Sequence, residues 1–565
     1  MGTSWERIQQ NSILQLSPVR TESIDDMSQA PKAVPKPGIS GFRENFSADI
    51  KSGFLVFLIA MPLCLGIAKA SGYPPIAGIF TAIIGGLLVP WISNSELTIK
   101  GPAAGMIVIV LGCVDGFGHT GGQDIIADFE AYRMALAVGV IAGLVQIVLA
   151  IFRSGILSEF FPTAAVHGML ASIGIMIATK QFHAMIGNPT KEKEPLKVIE
   201  AIPEAIQHLK PEVAMIGFAC LAIMIFWAVM PKKINWLKKL PAQLVVVAVG
   251  ILLGYYFSTK LESNAFVNVP NDIRQGLAFP NFTGAFESGH LYHSLQFILM
   301  FSLVGTLESL LSAKAVDLLD PYRRKSNFNL DLLGVGIANT LASFVGGLPM
   351  ISEIVRSKAN IDNGARSRFA NLFHGLFLLV FVALLPQLIK LIPNASLAAM
   401  LVFTGYRLAS PHEFIHMYRV GREQLAIFVA TIIGVLATDL LIGVGIGIAV
   451  KAAFHIYNGA PISSLFTPHV EVTEPDSSTT LVTVKNAAVF STWIGLRRKI
   501  LSIAADRSVI LDLSATQLVD HTVMEKLHEL EMDFEQKHRK LVIRGLESHQ
   551  GLSKHPHAAQ IRTAV

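Results

Sequence analysis

The chain has 565 residues, 52% of them hydrophobic and only 15% charged, with a net charge of +5. An average soluble domain carries roughly 25% charged residues; here the charges crowd into the ends and short connectors, leaving apolar blocks longer than the ~18 residues that mark a membrane span. A soluble protein is excluded, and basic residues confined to connectors point to membrane orientation rather than to nucleic acid.

Residues 1–45 are polar, with Pro31, Pro35 and Pro37 and no apolar core of a signal peptide, so they read as a disordered cytoplasmic tail. Apolar segments then run at about 50–68, 76–93, 102–114, 132–152, 161–179, 212–230, 242–258, 294–312, 330–346, 350–359, 370–385, 391–407, 423–439 and 442–457. Of these fourteen, the third and tenth are short, and they occupy equivalent positions in a seven-plus-seven inverted repeat. The fold class expected is therefore an all-α polytopic membrane protein with fourteen transmembrane segments spanning residues 46–458. Cys64, Cys113 and Cys220 form no CxxC pair and read as small hydrophobes in helices.

The two short segments are introduced by LTIKGPAAGMIVIV (97–110) and FVGGLPMISEIVRS (344–357). Each reads as an extended run, a Gly or Pro break, and a helix start with Pro102 or Pro349 in the first turn, where proline removes no intrahelical bond. Paired, Gly/Pro-interrupted apolar segments in matching places of two halves point to a transporter's binding site. Two half-helix N-termini facing each other favour an anion.

If the N-terminus is cytoplasmic, the inside connectors carry Lys232, Lys233, Lys238 and Lys239, then Lys314 and Arg323 to Lys325, then Arg356, Lys358, Arg366 and Arg368, then Arg407, Arg419 and Arg422. The opposite connectors are poor in basic residues, except 180–211, where Lys180, Lys191, Lys193, Lys197 and Lys210 are diluted by glutamates. The balance places both termini in the cytoplasm of a cell whose inner membrane holds the spans. After Tyr457, TTLVTV, VILDLSA and KLVIRGL read as strands and HTVMEKLHELEMDFEQ as an amphipathic helix, an α/β domain over 466–547. Residues 548–565, with His549, His555 and His557, read as a flexible tail without metal-ligand spacing.

GTLESLLSAKAVDLL (305–319), GGLPMISEIVRSKANIDNGARSR (346–368), MPLCLGIAKASGYPPIAGIF (61–80) and IKGPAAGM (99–106) together resemble the SulP anion transporters, solute-carrier family 26. VILDLSATQLVDHTVMEKL (509–527) resembles their STAS domain, truncated here, with Asp520-His521-Thr522-Val523 where related proteins carry a phosphorylatable D-S-S-G. The missing glycine leaves Thr522 as either a switch or an ordinary helix-start residue. The resemblance implies a core domain moving against a gate domain, usually in a homodimer.

Glu308, inside the eighth segment, is a carboxylate that costs several kcal/mol in a bilayer unless satisfied. With Ser312 one turn on, it is the candidate site for a coupling Na⁺ or H⁺, or else a structural hydrogen bond. The resemblance implies the coupling role, since an Asp and a Thr occupy the matching positions of the family's sodium-coupled bicarbonate transporters. Glu353, in the first turn of the tenth segment, serves either coupling or the helix dipole, and Arg356 serves either the anion path or a membrane anchor. Anion coordination is assigned to the backbone N–H groups of Ala103, Ala104, Ile351 and Ser352 and to the Ser352 hydroxyl. Val355, and Leu63 after Pro62, stand where many relatives carry polar side chains, so the site has fewer donors and tilts from sulfate toward bicarbonate. Lys69, His167, Lys180, Asp317 and Asp439 are expected to cap or anchor segments, and His374 to be a satisfied packing residue.

No cofactor is expected beyond that possible Na⁺, and no nucleophile–base pair marks an enzyme. A dicarboxylate or nucleobase symporter on the same fold, or a membrane sensor signalling through STAS, are the competing readings. Broken segments and a buried carboxylate favour transport of a small inorganic anion.

Overall fold

In the computed structural model the described residues are 34–36, 38–159, 161–190, 192, 194–230, 240–438, 440–476 and 478–563. Residues 1–33, Lys191, Lys193, the basic connector Lys232–Lys239 and Asp439 lie outside them. Each apolar segment contains a helix: α1 Gly38–Ala70, α2 Pro75–Ile92, α3 Ile107–Gly116, α4 Ile125–Ile151, α5 Thr163–Met185, α6 Pro211–Val229 and α7 Ala242–Tyr256. Then follow α8 Leu291–Leu319, α9 Phe328–Phe344, α10 Ile354–Asp362, α11 Phe369–Leu384, α12 Asn394–Leu408, α13 Pro411–Val420, α14 Arg422–Ala437 and α15 Leu440–Tyr457. Among the described residues seven helices are long and apolar enough to cross a membrane, namely α1, α2, α4, α5, α6, α8 and α15. The chain is a multi-pass membrane protein.

Helix α1 begins at Gly38, so the last residues of the expected disordered tail are helical. The reason is aromatic: Phe42 packs edge-on to Phe369, 4.9 Å between centroids, and Phe46 to Phe373 at 5.2 Å, anchoring the first turns on α11. Helix α13 was hidden in a connector; it is a short amphipathic helix with Pro411 in its first turn and Met417 and Val420 buried.

The helices and strands fall into two compact units, one containing the described residues up to Gly155 and Gly174–Arg407, the other Ile156–Ile173 and residues from Leu408 on. In the second unit, α13 to α15 join the C-terminal α/β part, built from β3 Val470–Thr473, β4 Thr479–Val484, β5 Asn486–Ala488, α16 Trp493–Leu501, β6 Ser508–Asp512, β7 Thr516–Val519, α17 His521–Gln536 and β8 Leu541–Arg544. One sheet runs β3-β4-β6-β8, its three last strands parallel. A second runs β5-β7-β10-β9, where β9 is His549–Gly551 and β10 Gln560–Arg562. The expected flexible tail over 548–565 is thereby corrected: β10 pairs with β7, and Ala558 and Ala559 are buried. Strands this short show no readable alternation, so tertiary pairing alone makes them.

Asp520 caps α17, accepting the Val523 N–H at 2.7 Å, and lies 3.4 Å from Lys451 Nζ and 3.3 Å from His455 Nε2 on α15. Burial by itself pushes the Asp520 carboxyl up, but the Lys451 and His455 charges outweigh it and hold the group well below the ordinary carboxylate range. Thr522 has no exposed surface and its hydroxyl accepts from Lys451 at 2.6 Å. A helix-start role, not a modifiable surface residue, is what this geometry fits.

Candidate functional site

The two punctuated stretches meet. Ile99–Pro102 forms β1 and Met350–Glu353 forms β2, paired antiparallel with Ile99 opposite Glu353, Lys100 opposite Ser352, Gly101 opposite Ile351 and Pro102 opposite Met350. The prolines therefore sit at the end of β1 and just before β2, not in the first helical turns, which begin at Ala104 and Ile354. Pro102 ends its strand and Pro349 precedes its own, positions where a missing N–H costs no ladder bond.

Extended backbone among membrane helices survives only if every polar group finds a partner. Side chains supply them. Ser357 Oγ accepts the Ile99 N–H at 2.9 Å, Asn371 Oδ1 the Lys100 N–H at 3.2 Å, Asn339 Oδ1 the Met350 N–H at 2.6 Å, and Ser309 Oγ the Ser352 N–H at 3.1 Å. Asn339 is itself fixed, its amide donating to Gln146 Oε1 at 2.7 Å and to the Met350 carbonyl at 3.1 Å.

Alternation along the strands sorts the charges onto two faces. On one, Lys100 Nζ lies 2.7 and 2.9 Å from the two carboxylate oxygens of Asp331 in α9. Ser93 and Ser352 donate to the same carboxylate at 2.6 and 3.1 Å, and the Ser309 hydroxyl lies 3.1 Å from Ser352 Oγ. Lys100 and Asp331 are 1% and 0% exposed, so this is a fully enclosed ion pair. On the other face, Gly101 leaves room for Arg356, for a β-carbon there would stand 2.2 Å from its Nη1. Arg356 Nη2 donates to the Pro102 carbonyl at 3.2 Å, and the guanidinium lies beside the Cys64 thiol and the Glu353 carboxylate.

Two groups are left over. Arg356 is 1% exposed, yet its Nε and Nη1 have no hydrogen-bond partner. Glu308, 6% exposed, has Oε1 without a partner, over Gly105, whose hypothetical β-carbon would lie 2.2 Å from that oxygen. Buried charged groups left unsatisfied are costly, so a guanidinium and a carboxylate of this kind suit an anion and a cation or proton respectively.

Of the residues expected to form the site, Glu308, Glu353, Arg356, Ala103, Ala104, Ile351 and Ser352 are brought to the crossing. The Ala104 N–H faces the Glu353 carboxylate. The amide and hydroxyl of Ser352 are committed, to Ser309 and to the Lys100–Asp331 pair, which corrects their assignment as free anion donors. Ser309, not Ser312, is the α8 hydroxyl bonded to the crossing; Ser312 is half-buried one turn from Glu308. Val355 is 41% exposed. Pro62 is buried within α1, and its neighbour beyond Leu63, Cys64, is the α1 residue that reaches Arg356. His374 is fully buried with neither ring nitrogen hydrogen-bonded, so it packs but is not satisfied. Asp317 accepts the Ser326 N–H at 2.7 Å and so ties the turn after α8, as expected of a capping residue. Sequence reasoning missed Lys100 and Asp331; the available signal was a lysine set inside an otherwise apolar stretch.

Comparison with known proteins matches residues 46–431 to the Sulfate permease family. A "Putative sulfate transporter YvdB" of Bacillus subtilis is 24% identical over 89% of this chain and 92% of its own length. The "Bicarbonate transporter BicA" of Synechocystis is 25% identical over 72% and 68%. Among solved structures, the transmembrane domain of a cyanobacterium bicarbonate transporter BicA aligns with a TM-score of 0.61, 24% identity, and coverage of 71% of this chain and 98% of its own. SLC26A9 aligns with a TM-score of 0.65, 13% identity, and coverage of 89% and 85%. Such identities establish the shared fold.

Proposed function

The chain belongs to the Sulfate permease family, and on that premise we propose that it is a secondary active transporter moving a small inorganic anion, bicarbonate or sulfate, across the cytoplasmic membrane. It is a transporter and not an enzyme. The observation that carries the reading is the pair of unsatisfied buried groups at the strand crossing, Arg356 for the anion and Glu308 for the counter-cation. Enclosure of a permanent cation and an acid at one site suits coupled movement, because each occupant screens the other's cost of leaving water.

Coupling is to H⁺ or Na⁺. A proton needs only Glu308, whereas Na⁺ would draw further oxygens from Ser309 or Ser312 on the same helix. Few free donors surround Arg356, since the Ser352 amide and hydroxyl are already bonded, which favours a monoanion such as bicarbonate over sulfate. Fourteen spans in two inverted sets of seven, cytoplasmic termini, a homodimer, and a STAS domain over 466–547 complete the proposal. Relatives named for sulfate and bicarbonate leave a dicarboxylate, nucleobase or sensor role unfavoured.

Uptake of labelled bicarbonate, sulfate and succinate into proteoliposomes, with Na⁺ and pH gradients imposed separately, tests this. Glu308→Gln is expected to abolish uptake or its cation dependence. Wild-type coupling retained in that variant would refute the role given to Glu308.

A further inference from the structure

The second unit gathers seven of the chain's 17 histidines into one continuous patch, which anion binding leaves unused. His412 and His416, four apart on α13, share one helix face with their rings stacked 6.3 Å apart. His416 faces His167 of α5 at 6.5 Å and His555, in the β9–β10 connection, at 6.3 Å. From there the rings continue: His555 lies 6.0 Å from His521 of α17 and 5.8 Å from His557, which lies 5.0 Å from His528.

Carboxylates are fewer than imidazoles. Glu413 sits 3.0 Å from His167 and 4.0 Å from His412, Glu525 sits 3.4 Å from His521, and Glu531 sits 3.8 Å from His528. Among the described residues, His416, His555 and His557 have no carboxylate at ion-pair distance. No three His, Cys, Asp or Glu groups among the described residues could hold a metal ion, so the ligand such rings are spaced to take is the proton.

The connection between β9 and β10 is seated by three bonds, one of which needs a neutral ring. Ser553 donates to the Val420 carbonyl at the end of α13 at 2.6 Å, and His521 Nδ1 donates to the His557 carbonyl at 2.6 Å. The His557 N–H donates to His555 Nδ1 at 3.2 Å, so that nitrogen is an acceptor and carries no proton. Protonating it sets one donor against another.

We propose that the β9–β10 connection is a proton-released catch: uncharged imidazoles hold it against α13 and α17 near neutral pH, and their protonation drives it off. Burial first, and neighbouring histidines second, hold His416, His555 and His557 below the ordinary histidine value. A ring that binds its proton more readily when undocked stabilises docking above its ordinary value near 6.5, and that stabilisation is lost as pH falls below it. Carboxylates held low share this sign but titrate below the window: the hydrogen bond from His167 holds Glu413 low, and for Glu525 burial raises the carboxyl while His521, the Thr163 hydroxyl and further histidines together outweigh it. Those two carboxylates also pull on His416, His555 and His557, less strongly than burial and the neighbouring histidines push, so the net response to acid is release.

Amide hydrogen exchange over residues 549–562 of the full chain in lipid nanodiscs, corrected for intrinsic rates, tests this at pH 7.5 and 5.5. Protection should fall at least fivefold on acidification, about the effect over this window of one ring whose affinity differs by one unit. In His416→Gln/His555→Gln the fall should be under threefold, while the exposed His208→Gln behaves as wild type. Equal wild-type protection at both pH values, or an undiminished fall in the double variant, overturns the proposal. Should the double variant be undocked already at pH 7.5, His416→Gln alone, which keeps the His555 acceptor, decides by the same two outcomes.

Discussion

Replacing Lys100 by methionine removes the ammonium that lies 2.7 Å from Asp331 and keeps most of the side-chain volume. Asp331, 0% exposed, is then left as a buried carboxylate whose remaining partners are the hydroxyls of Ser93 and Ser352. Breaking an enclosed ion pair on one side costs about 3–5 kcal/mol; two retained hydrogen bonds place this case near 3. At about 2 °C per kcal/mol for a large domain, the apparent melting temperature of the detergent-solubilised protein should fall by roughly 6 °C, measured at fixed scan rate. Lys100→Met/Asp331→Leu removes both charges and should recover most of that loss, because a well-packed apolar pair substitutes for an enclosed ion pair at little or no cost. A single variant that melts within a degree of wild type, or a double variant less stable than the single, would show that the pair does not hold the crossing together.

Gly105→Val should express and fold yet lose uptake at least tenfold, since its side chain enters the space of Glu308 Oε1; wild-type uptake in proteoliposomes would contradict the placement of Glu308. Asp520→Asn keeps an equally good N-cap for α17 but strips Lys451 of its counter-charge, so thermal stability should drop by about 3 kcal/mol. Because the Asp520 carboxyl is held far below its ordinary range, its contribution is complete above the ordinary aspartate value near 3.9 and is lost only as pH falls through its much lower folded value. The deficit of Asp520→Asn should therefore be constant from pH 8 to 5, and a deficit that closes in that window would contradict the assignment.

Each of the fourteen apolar runs holds a helix, only α13 among α1 to α15 having gone unread, and the Gly/Pro punctuation at Pro102 and Pro349 located the crossing. What that punctuation did not reveal is that the extended runs are strands to each other, because the partner of each lies in the opposite half of the chain. Glu308 and Arg356 stood out as charges in apolar surroundings, the signal that a bilayer makes expensive. Lys100 carries the same signal but falls just before the third segment, and Asp331 is a first-turn acid of α9, a place where the helix dipole alone favours a carboxylate. Ser309 was passed over for Ser312 because helical spacing identifies which residues share a face with Glu308, not which hydroxyl a distant strand will meet. The strands β9 and β10 carry three residues each, too few for a period-two pattern, so only their pairing partners define them.

The pairing of Ile99 with Glu353 also bears on how the protein is made. Roughly 250 residues separate the two, and a ribosome adding about 5–20 residues per second needs some 12–50 s to supply the second strand after the first. Throughout that interval Ile99–Pro102 must wait among finished helices with open hydrogen-bonding groups that lipid cannot satisfy. Water retained in an unsealed first half, or an insertion factor shielding it, has to stand in until the nascent chain has passed Glu353, so truncations ending before that residue should be ready substrates for membrane quality-control proteases.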